Sequence, residues 1–572
     1  EENEQYKIRV VLNKDEKTIR FTDNGLGMTA DEIKQYINQI AFSGASDFME
    51  KYKDKIEKDG DIIGHFGLGF YSAFMVAEKV RIDSLSYKAD AEPAGWLSDG
   101  STEYELFDGE RKERGTTITL FLNEDGAQFL DEYKLKATLR KYCGFIPVEI
   151  YFETEPVEEK PQAAESGEPA EEKAPEPIND IHPLWLKKPG DVTDEEYKAF
   201  YHKVFSDFNE PLFWIHLNMD YPFNLKGILY FPKLKHELES IEGQVKLYNN
   251  QVFIADNIKE VIPEFLLLLK GVLDCPDLPL NVSRSFLQND GYVTKMSNYI
   301  TKKVADKLTD LFRDERENYN NFWDDINQFI KYGCIRDKNF YDKAKDALLY
   351  KTLGGEYLTA SEYLEKNKEK EADKIFYVTN EQQQSQYIKL FQEQEIEAVL
   401  LTTKLDAPFM SYVESYEPTV HFARIDADLS DSLKDKTEEG DEHAAQLTEL
   451  FKKNLGSDSL KINVESLKSD SVSAVMLLSE QSRRMQEMSV MFGGMGGDMG
   501  AMFSAEETLV LNKNNALVKH LIDFKDDENK AGTVKLICEQ IYDLAMLSHK
   551  PLAVEAMTKF ISRSNDLMSK LL

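Results

Sequence analysis

The sequence predicts a multidomain α/β protein, and three observations carry that expectation. Its 572 residues are more than one hydrophobic core organises. Strand-like alternation and helical three-to-four periodicity are interleaved through most of the chain. Near residue 153 the composition changes abruptly, which separates a first folded region from the rest of the chain.

Residues 6–12 and 17–22 alternate as a hairpin around Asn13-Lys14-Asp15. Asp23-Asn24-Gly25-Leu26-Gly27-Met28 breaks that pattern, and Thr29 followed by Asp31 and Glu32 opens a helix over TADEIKQYINQIA. Further strand signals lie at Lys79–Leu85, Glu103–Phe107 and Thr116–Leu122, so the first region reads as an α/β sandwich rather than a bundle. Between Glu153 and Asp180 the chain is rich in Glu, Pro and Ala and lacks aromatic residues, the composition of an extended acidic linker.

His182-Pro183-Leu184-Trp185 opens a second region with the strand patterns LKGILYFP and QVKLYNNQVFI, helical stretches from about Tyr292, and a further α/β layer at IFYVT and EAVLLT. Ser and Asp content rises again over DADLSDSLKDKTEEGDE, and the chain finishes in helical patterns, CEQIYDLAMLSH and VEAMTKFISRSNDLMSKLL. The expected division is 1–152, a linker at 153–181, 182–426, a linker at 427–442, and 443–572.

With 69 Lys and Arg against 103 Asp and Glu, the formal charge is −34, which works against sustained contact with polyanions; no nucleic-acid partner is expected. Cys143, Cys275, Cys334 and Cys538 lack metal-ligand spacing and read as small buried hydrophobes in a reducing cytoplasm. The longest apolar run, Phe265 to Leu269, is bounded by Glu264 and Lys270 and falls far short of the ~20 residues of a membrane span. EENEQYKIRV has neither the charge nor the apolar core of a signal peptide, and the chain enters a strand pattern at once.

Two strings point to nucleotide chemistry. An aspartate at a strand end, as in DNGLGM, can accept a hydrogen bond from an adenine amine, and flanking glycines admit a ring close to the backbone. Alone, the string reads first as a plain Asp-Asn-Gly turn. Ile63 to Phe74, IGHFGLGFYSAF, passes from closely spaced glycines into an apolar helix, an arrangement that presents backbone N–H groups to phosphate or simply packs a helix closely. It fits neither a P-loop nor a dinucleotide fingerprint. Gly115-Thr116-Thr117-Ile118-Thr119-Leu120 adds a hydroxyl at a strand start.

Taken in order, DNGLGM, IGHFGLGFYSAF and GTTITLFL resemble the nucleotide pocket shared by gyrase, heat-shock protein 90, histidine-kinase and MutL-type (GHKL, or Bergerat) ATPases, and IGHFGLGFYSAFMVA resembles the heat-shock protein 90 family in particular. The resemblance implies an N-terminal GHKL-type α/β sandwich, an α/β middle domain and a mostly helical C-terminal dimerisation domain. It assigns the adenine amine to Asp23, the base to Gly27 and Met28, the phosphates to Gly64, Gly67, Gly69 and Phe70, and a place near the base to Thr116. Residues 40–60 become a lid with Ser43 and Gly44 at its hinge, and Phe42 stands where the family usually has lysine. The helix carrying the family's general-base glutamate and magnesium-binding asparagine would precede residue 1. ATP and magnesium are therefore the expected cofactors, but this polypeptide is expected not to turn ATP over at the family rate, although the intact parent should.

DLPLNVSR, residues 277–284, resembles the family's catalytic loop, which implies that Arg284 meets the γ-phosphate with Asn281 and Gln288 as helpers. Met485, Met488, Met491 and Phe492 share one face of an amphipathic stretch before GGMGGDMGAMF, suited either to client proteins or to a core. Trp185 is open to the same two readings. The closing helices resemble the family's dimerisation bundle, implying a homodimer. The acidic Met-Glu-Glu-Val-Asp tail of cytosolic eukaryotic members is absent from the end of the sequence, which implies a bacterial-type member. The implied function is an ATP-dependent chaperone cycling between open and closed dimers. The alternatives are a topoisomerase or MutL-type ATPase, for which the charge is wrong, and a nucleotide-binding scaffold.

Overall fold

The hairpin read at residues 6–22 is present. Strand β1 (Lys7–Asn13) pairs antiparallel with β2 (Thr18–Asp23), Ile8 opposite Asp23 and Asn13 opposite Thr18. Alternation turns Val10 and Leu12 into the core, and Asn13 Oδ1 closes the turn by accepting the N–H groups of Asp15 and Glu16. The computed structural model describes residues 5–39, 69–155, 176–233, 244–257, 261–278, 291–370, 373–427, 433–435, 442–457, 459–478, 507–548 and 550–570. Its contacts divide the chain into two units, Glu1–Lys303 and Val304–Leu572.

In the first unit, β3 (Ala77–Leu85), β4 (Ala94–Ser98), β5 (Glu105–Asp108), β6 (Gly115–Leu122) and β7 (Glu149–Thr154) complete a seven-stranded sheet in the order β5-β4-β3-β6-β2-β1-β7. All pairs are antiparallel except β1 with β7. Thr29 caps the expected helix in a full capping box with Glu32, an arrangement worth about 1 kcal/mol. That helix (Ala30–Tyr36) stops earlier than its pattern suggests, and just beyond it Asn38 Oδ1 accepts the Trp96 indole N–H at 2.9 Å.

The apolar helix expected after the second glycine string is instead a 3₁₀ turn, Gly69–Met75. β3 begins only two residues later, and the tighter winding lays Phe70, Ala73 and Phe74 against the sheet core. β7 runs to Thr154, two residues into the expected linker. The far end of that linker also has a fixed place. Asn179 accepts the Ile150 N–H and donates to the Ile146 and Val148 carbonyls, each at 2.8 Å, while Ile178 N–H donates to Ile150.

A second sheet in this unit joins β8 (Phe213–Met219), β9 (Leu225–Phe231), β10 (Gln244–Asn249), β11 (Val252–Asp256) and β12 (Lys270–Asp274) in the order β11-β10-β12-β9-β8. Helix Asp194–Phe205 covers it with Tyr197, Phe200 and Tyr201. Phe145, which follows helix Glu132–Cys143 of the first sheet, enters the same aromatic cluster, 4.6 Å edge-on to Trp185 and 5.5 Å from Tyr248.

The second unit contains the short pair β13 (Tyr350–Lys351) and β14 (Tyr357–Leu358). The expected α/β layer comes next, with β15 (Lys374–Val378) flanked in parallel by β16 (Val399–Leu400) and β17 (His421–Arg424). The last part is not only helical. β18 (Lys461–Glu465), β19 (Ala474–Leu478) and β20 (Glu507–Asn512) form a sheet in the order β18-β20-β19, covered by helices Glu442–Leu455, Ala516–Asp523 and Ala531–Leu547. The acidic segment at 427–442 lies between elements that share one buried cluster, since Phe376, Phe391 and Ile425 pack with Leu467, Val475 and Val510. Tyr387 bridges the same division, its hydroxyl bonded to both backbone groups of Met476.

Lys331 and Asp406 form a deeply buried ion pair, at 5% and 3% side-chain exposure and 2.5 Å apart, with Asp406 Oδ2 also accepting from Thr403 N–H and Oγ1. Truncating one partner strands the other charge in a dry interior. Lys331→Ala should destabilise the second unit by about 3–5 kcal/mol, and Lys331→Met with Asp406→Leu should recover most of that loss, as read from urea unfolding midpoints.

Candidate functional site

Asp23 ends β2, beside the central strand β6, and the chain turns away at once. Its Oδ1 accepts the N–H groups of Gly25 at 2.8 Å and Thr116 at 3.3 Å. Oδ2 has no hydrogen-bond partner among the described residues, and the side chain is partly exposed. One oxygen is therefore fixed by backbone while the other is left as an acceptor with a set direction.

Two glycines allow this geometry. Gly27 has φ +63°, and a Cβ there would lie 1.9 Å from the Leu85 carbonyl oxygen. Gly115 has φ +121°, and its Cβ would lie 2.1 Å from the Asp23 carbonyl oxygen. The loop 26–28 consequently lies flat on the end of β3, where Tyr87 N–H donates to Leu26 at 2.8 Å.

Ser84, fully buried, joins the strands beneath the loop. Its hydroxyl accepts the Met28 N–H at 2.8 Å and contacts Thr116 Oγ1 at 2.8 Å and the Gly115 carbonyl at 3.2 Å. Arg111 holds the other side, reaching Thr117 Oγ1, the Asp23 carbonyl and the Arg114 carbonyl at 2.5, 3.2 and 3.1 Å. Sequence reasoning missed both residues. An isolated serine in a strand and an arginine in a charged loop carry no local signature, because their roles arise from cross-strand neighbours.

Asp23, Gly27, Met28 and Thr116 thus come together at the ends of β2, β3 and β6. Thr116 is 7% exposed, with its hydroxyl engaged by Ser84. Phe70 stands edge-on to Trp96 at 5.7 Å and belongs, like Met28, to the margin of the same core. Among the described residues nothing lies within 4 Å of a Cβ added at Gly69. Ser43, Gly44, Gly64, Gly67, Phe42, Asn281, Arg284, Gln288, Met485, Met488, Met491 and Phe492 fall outside the described residues.

Trp185 takes the core side of its two readings. It is 1% exposed and ringed by Phe145, Phe200 and Tyr248, so in this conformation it offers no surface to a client. Phe208, 99% exposed, is an apolar side chain that the sequence did not single out. Among the described residues, no cluster of three or more His, Cys, Asp or Glu could hold a metal ion, and no helix is long and apolar enough to cross a membrane.

A family model described as "Hsp90 protein" matches residues 168–572, and one described as "Histidine kinase-, DNA gyrase B-, and HSP90-like ATPase" matches residues 3–94. The chain is 42% identical to the chaperone protein HtpG of Bacteroides thetaiotaomicron, across 90% of this chain and 76% of that protein. It is 39% identical to HtpG of Porphyromonas gingivalis, across 92% and 78%, and 31% identical to HtpG of Psychromonas ingrahamii, across 98% and 90%.

The close approach at Gly27 can be tested directly. Gly27→Ala combines an unfavourable φ with overlap on a backbone carbonyl, and should destabilise the first unit by at least about 3 kcal/mol in thermal or urea unfolding.

Proposed function

The chain belongs to the heat-shock protein 90 family, and on that footing we propose that it is an ATP-dependent molecular chaperone whose adenine contact is Asp23. The half-satisfied carboxylate is the observation that carries this reading. An ionised carboxylate only accepts hydrogen bonds, so Oδ2 suits a purine bearing an amine at its six-position and disfavours one bearing a carbonyl. Gly27 and Met28 line the base, with Thr116 held beside Asp23 by Ser84.

The remaining assignments come from the family resemblance. Gly64, Gly67, Gly69 and Phe70 hold the phosphates, and Ser43 and Gly44 hinge a lid over them. Magnesium, when bound, would neutralise phosphate charge. Arg284, helped by Asn281 and Gln288, presents a forked guanidinium to the γ-phosphate and stabilises the charge that grows there. Three modules, 1–152, 182–426 and 443–572, carry nucleotide, arginine loop and dimer contact respectively. Met485, Met488, Met491 and Phe492 meet client proteins in the cytoplasm, with neither nucleic acid nor membrane as a partner. The topoisomerase and MutL alternative is not favoured, because the extended match is to the Hsp90 model and chaperone relatives.

The homodimer forms through helix Val554–Ser569. Val554, Ile561 and Met568, seven residues apart on one helical face, are 84%, 53% and 56% exposed. The helix is oriented by Arg563, only 7% exposed, which bonds Glu539, Gln540 and Asp543 of the preceding helix. An apolar row on a fixed helix suits an isologous contact.

Asp23→Asn keeps an acceptor for Gly25 and Thr116 but can place an amide donor where the free oxygen stood. ATP affinity by calorimetry should fall about 10–100-fold with the melting temperature little changed, and the unaltered protein should bind inosine triphosphate more weakly than ATP. Equal affinity of both proteins for ATP would remove the adenine assignment. For the dimer, Ile561→Glu should weaken association at least about tenfold in sedimentation equilibrium, since a charge would be buried in the contact.

A further inference from the structure

The last sheet, β18-β20-β19, bonds β18 (Lys461–Glu465) to a strand on one side only. Backbone groups alternate along a strand, and the alternation decides which residues of β18 face its other side. The Glu465 carbonyl accepts the Lys513 N–H at 3.0 Å, on the side of β20, whereas the Ser466 carbonyl accepts the Asp435 N–H at 2.8 Å. The backbone groups of Ile462 and Val464 therefore point the same way as those of Ser466, away from β20. Past Glu465 that edge is closed by Leu433 and Asp435, which bond Lys468 and Ser466 around a bridge between Lys434 and Leu467. Over 462–464 no strand among the described residues pairs with it on that side.

Helix Glu442–Leu455 runs beside this edge. Leu447 and Phe451 turn into the core, while Ala444, Ala445 and Thr448 line an open groove together with Ile462 and Val464. The small side chains leave room in the groove, and the two partly buried aliphatic ones give it an apolar floor. An open edge of this kind is a template for another strand, and charges on edge strands normally guard against that. In Lys461-Ile462-Asn463-Val464-Glu465 the charges stand at the two ends with opposite sign. Reversed about Asn463, the strand meets itself with Lys461 opposite Glu465 and Ile462 opposite Val464. The guard that repels other strands thus becomes an attraction toward a second copy of the same strand.

We propose that β18 is a self-association surface, on which two copies of this chain pair antiparallel about Asn463. Each Val464 N–H donates to the partner's Ile462 carbonyl. The two-fold axis stands perpendicular to the sheet, so both copies of helix Glu442–Leu455 lie on one face, and Ala444, Ala445 and Thr448 let them approach. The contact is separate from the one assigned to helix Val554–Ser569 and does not depend on it. A seam of five residues is small beside an obligate interface, so it links dimers rather than replacing the helix contact.

Sedimentation equilibrium of the full chain reads this contact as average mass against concentration. The native protein should form species larger than a dimer. Lys461→Glu and Glu465→Lys should each weaken that step about tenfold, because both copies carry the change and two like-charged pairs result. Together the substitutions restore opposite charges across the seam, and association should return to within about threefold of native. A double variant no stronger than the single ones would overturn the proposal, as would a native protein with no species beyond a dimer. If Ile561→Glu fails to lower the mass, the helix contact falls and the charge exchange still decides the strand. Asn463→Cys gives an independent reading. Residues directly opposite in such a pair have Cα atoms about 4.5 Å apart, within disulfide reach, so oxidised glutathione should yield a covalent dimer. Lys461→Cys stands opposite Glu465 and should not crosslink. Equal crosslinking of the two cysteine variants, or none in Asn463→Cys, sinks the register, and this pair decides the matter should a charge variant not fold.

Discussion

A carboxylate has two oxygens, and the first sheet uses only one of those on Asp23. Backbone donors from Gly25 and Thr116 fix Oδ1, which sets the plane of the group and the direction of Oδ2. The donors converge because β2 and β6 are neighbours and because Gly27 and Gly115 let two chain segments approach more closely than any side chain permits. Removing that closeness removes the site, while the sheet itself has many other contacts to rely on. The glycines are there for geometry and the aspartate for chemistry.

Ser84 and Arg111 show how such a site is kept rigid. Each bonds several groups from different segments, so the loop bearing Met28 and the strand bearing Thr116 are tied together. A buried hydroxyl without these partners would cost free energy; here nearly all of its capacity is used. Rigidity of this kind is what selective recognition of one purine requires, because a slack acceptor would serve a water molecule as readily as an amine.

The same economy of polar groups recurs away from Asp23. In the first unit Trp185 joins an aromatic cluster through its ring and Asp274 through its N–H, so a residue that could have served a surface serves an interior joint. In the second, Arg563 sets the direction of the last helix and leaves an apolar row facing outward. Both are cases of a polar contact made in the interior that decides what an element can present elsewhere.

Local chemistry made much of this readable from the sequence alone. Period-two alternation gave the β1–β2 hairpin, Thr29 with Glu32 gave a helix start, and the strings DNGLGM and IGHFGLGFYSAF pointed to the family. These features depend on residues within a turn or two of one another. Tertiary structure alone decided that Gly69–Met75 winds as a 3₁₀ turn, that β7 reaches Thr154 and Asn179 bonds the backbone at residues 146–150, and that a sheet lies among the last helices. It also decided that Trp185 is buried and that Ser84 and Arg111 tie strands together around Asp23. Each of those outcomes is settled by contact between segments far apart in the chain, and spacing along a sequence carries no record of which distant backbone group a side chain will meet.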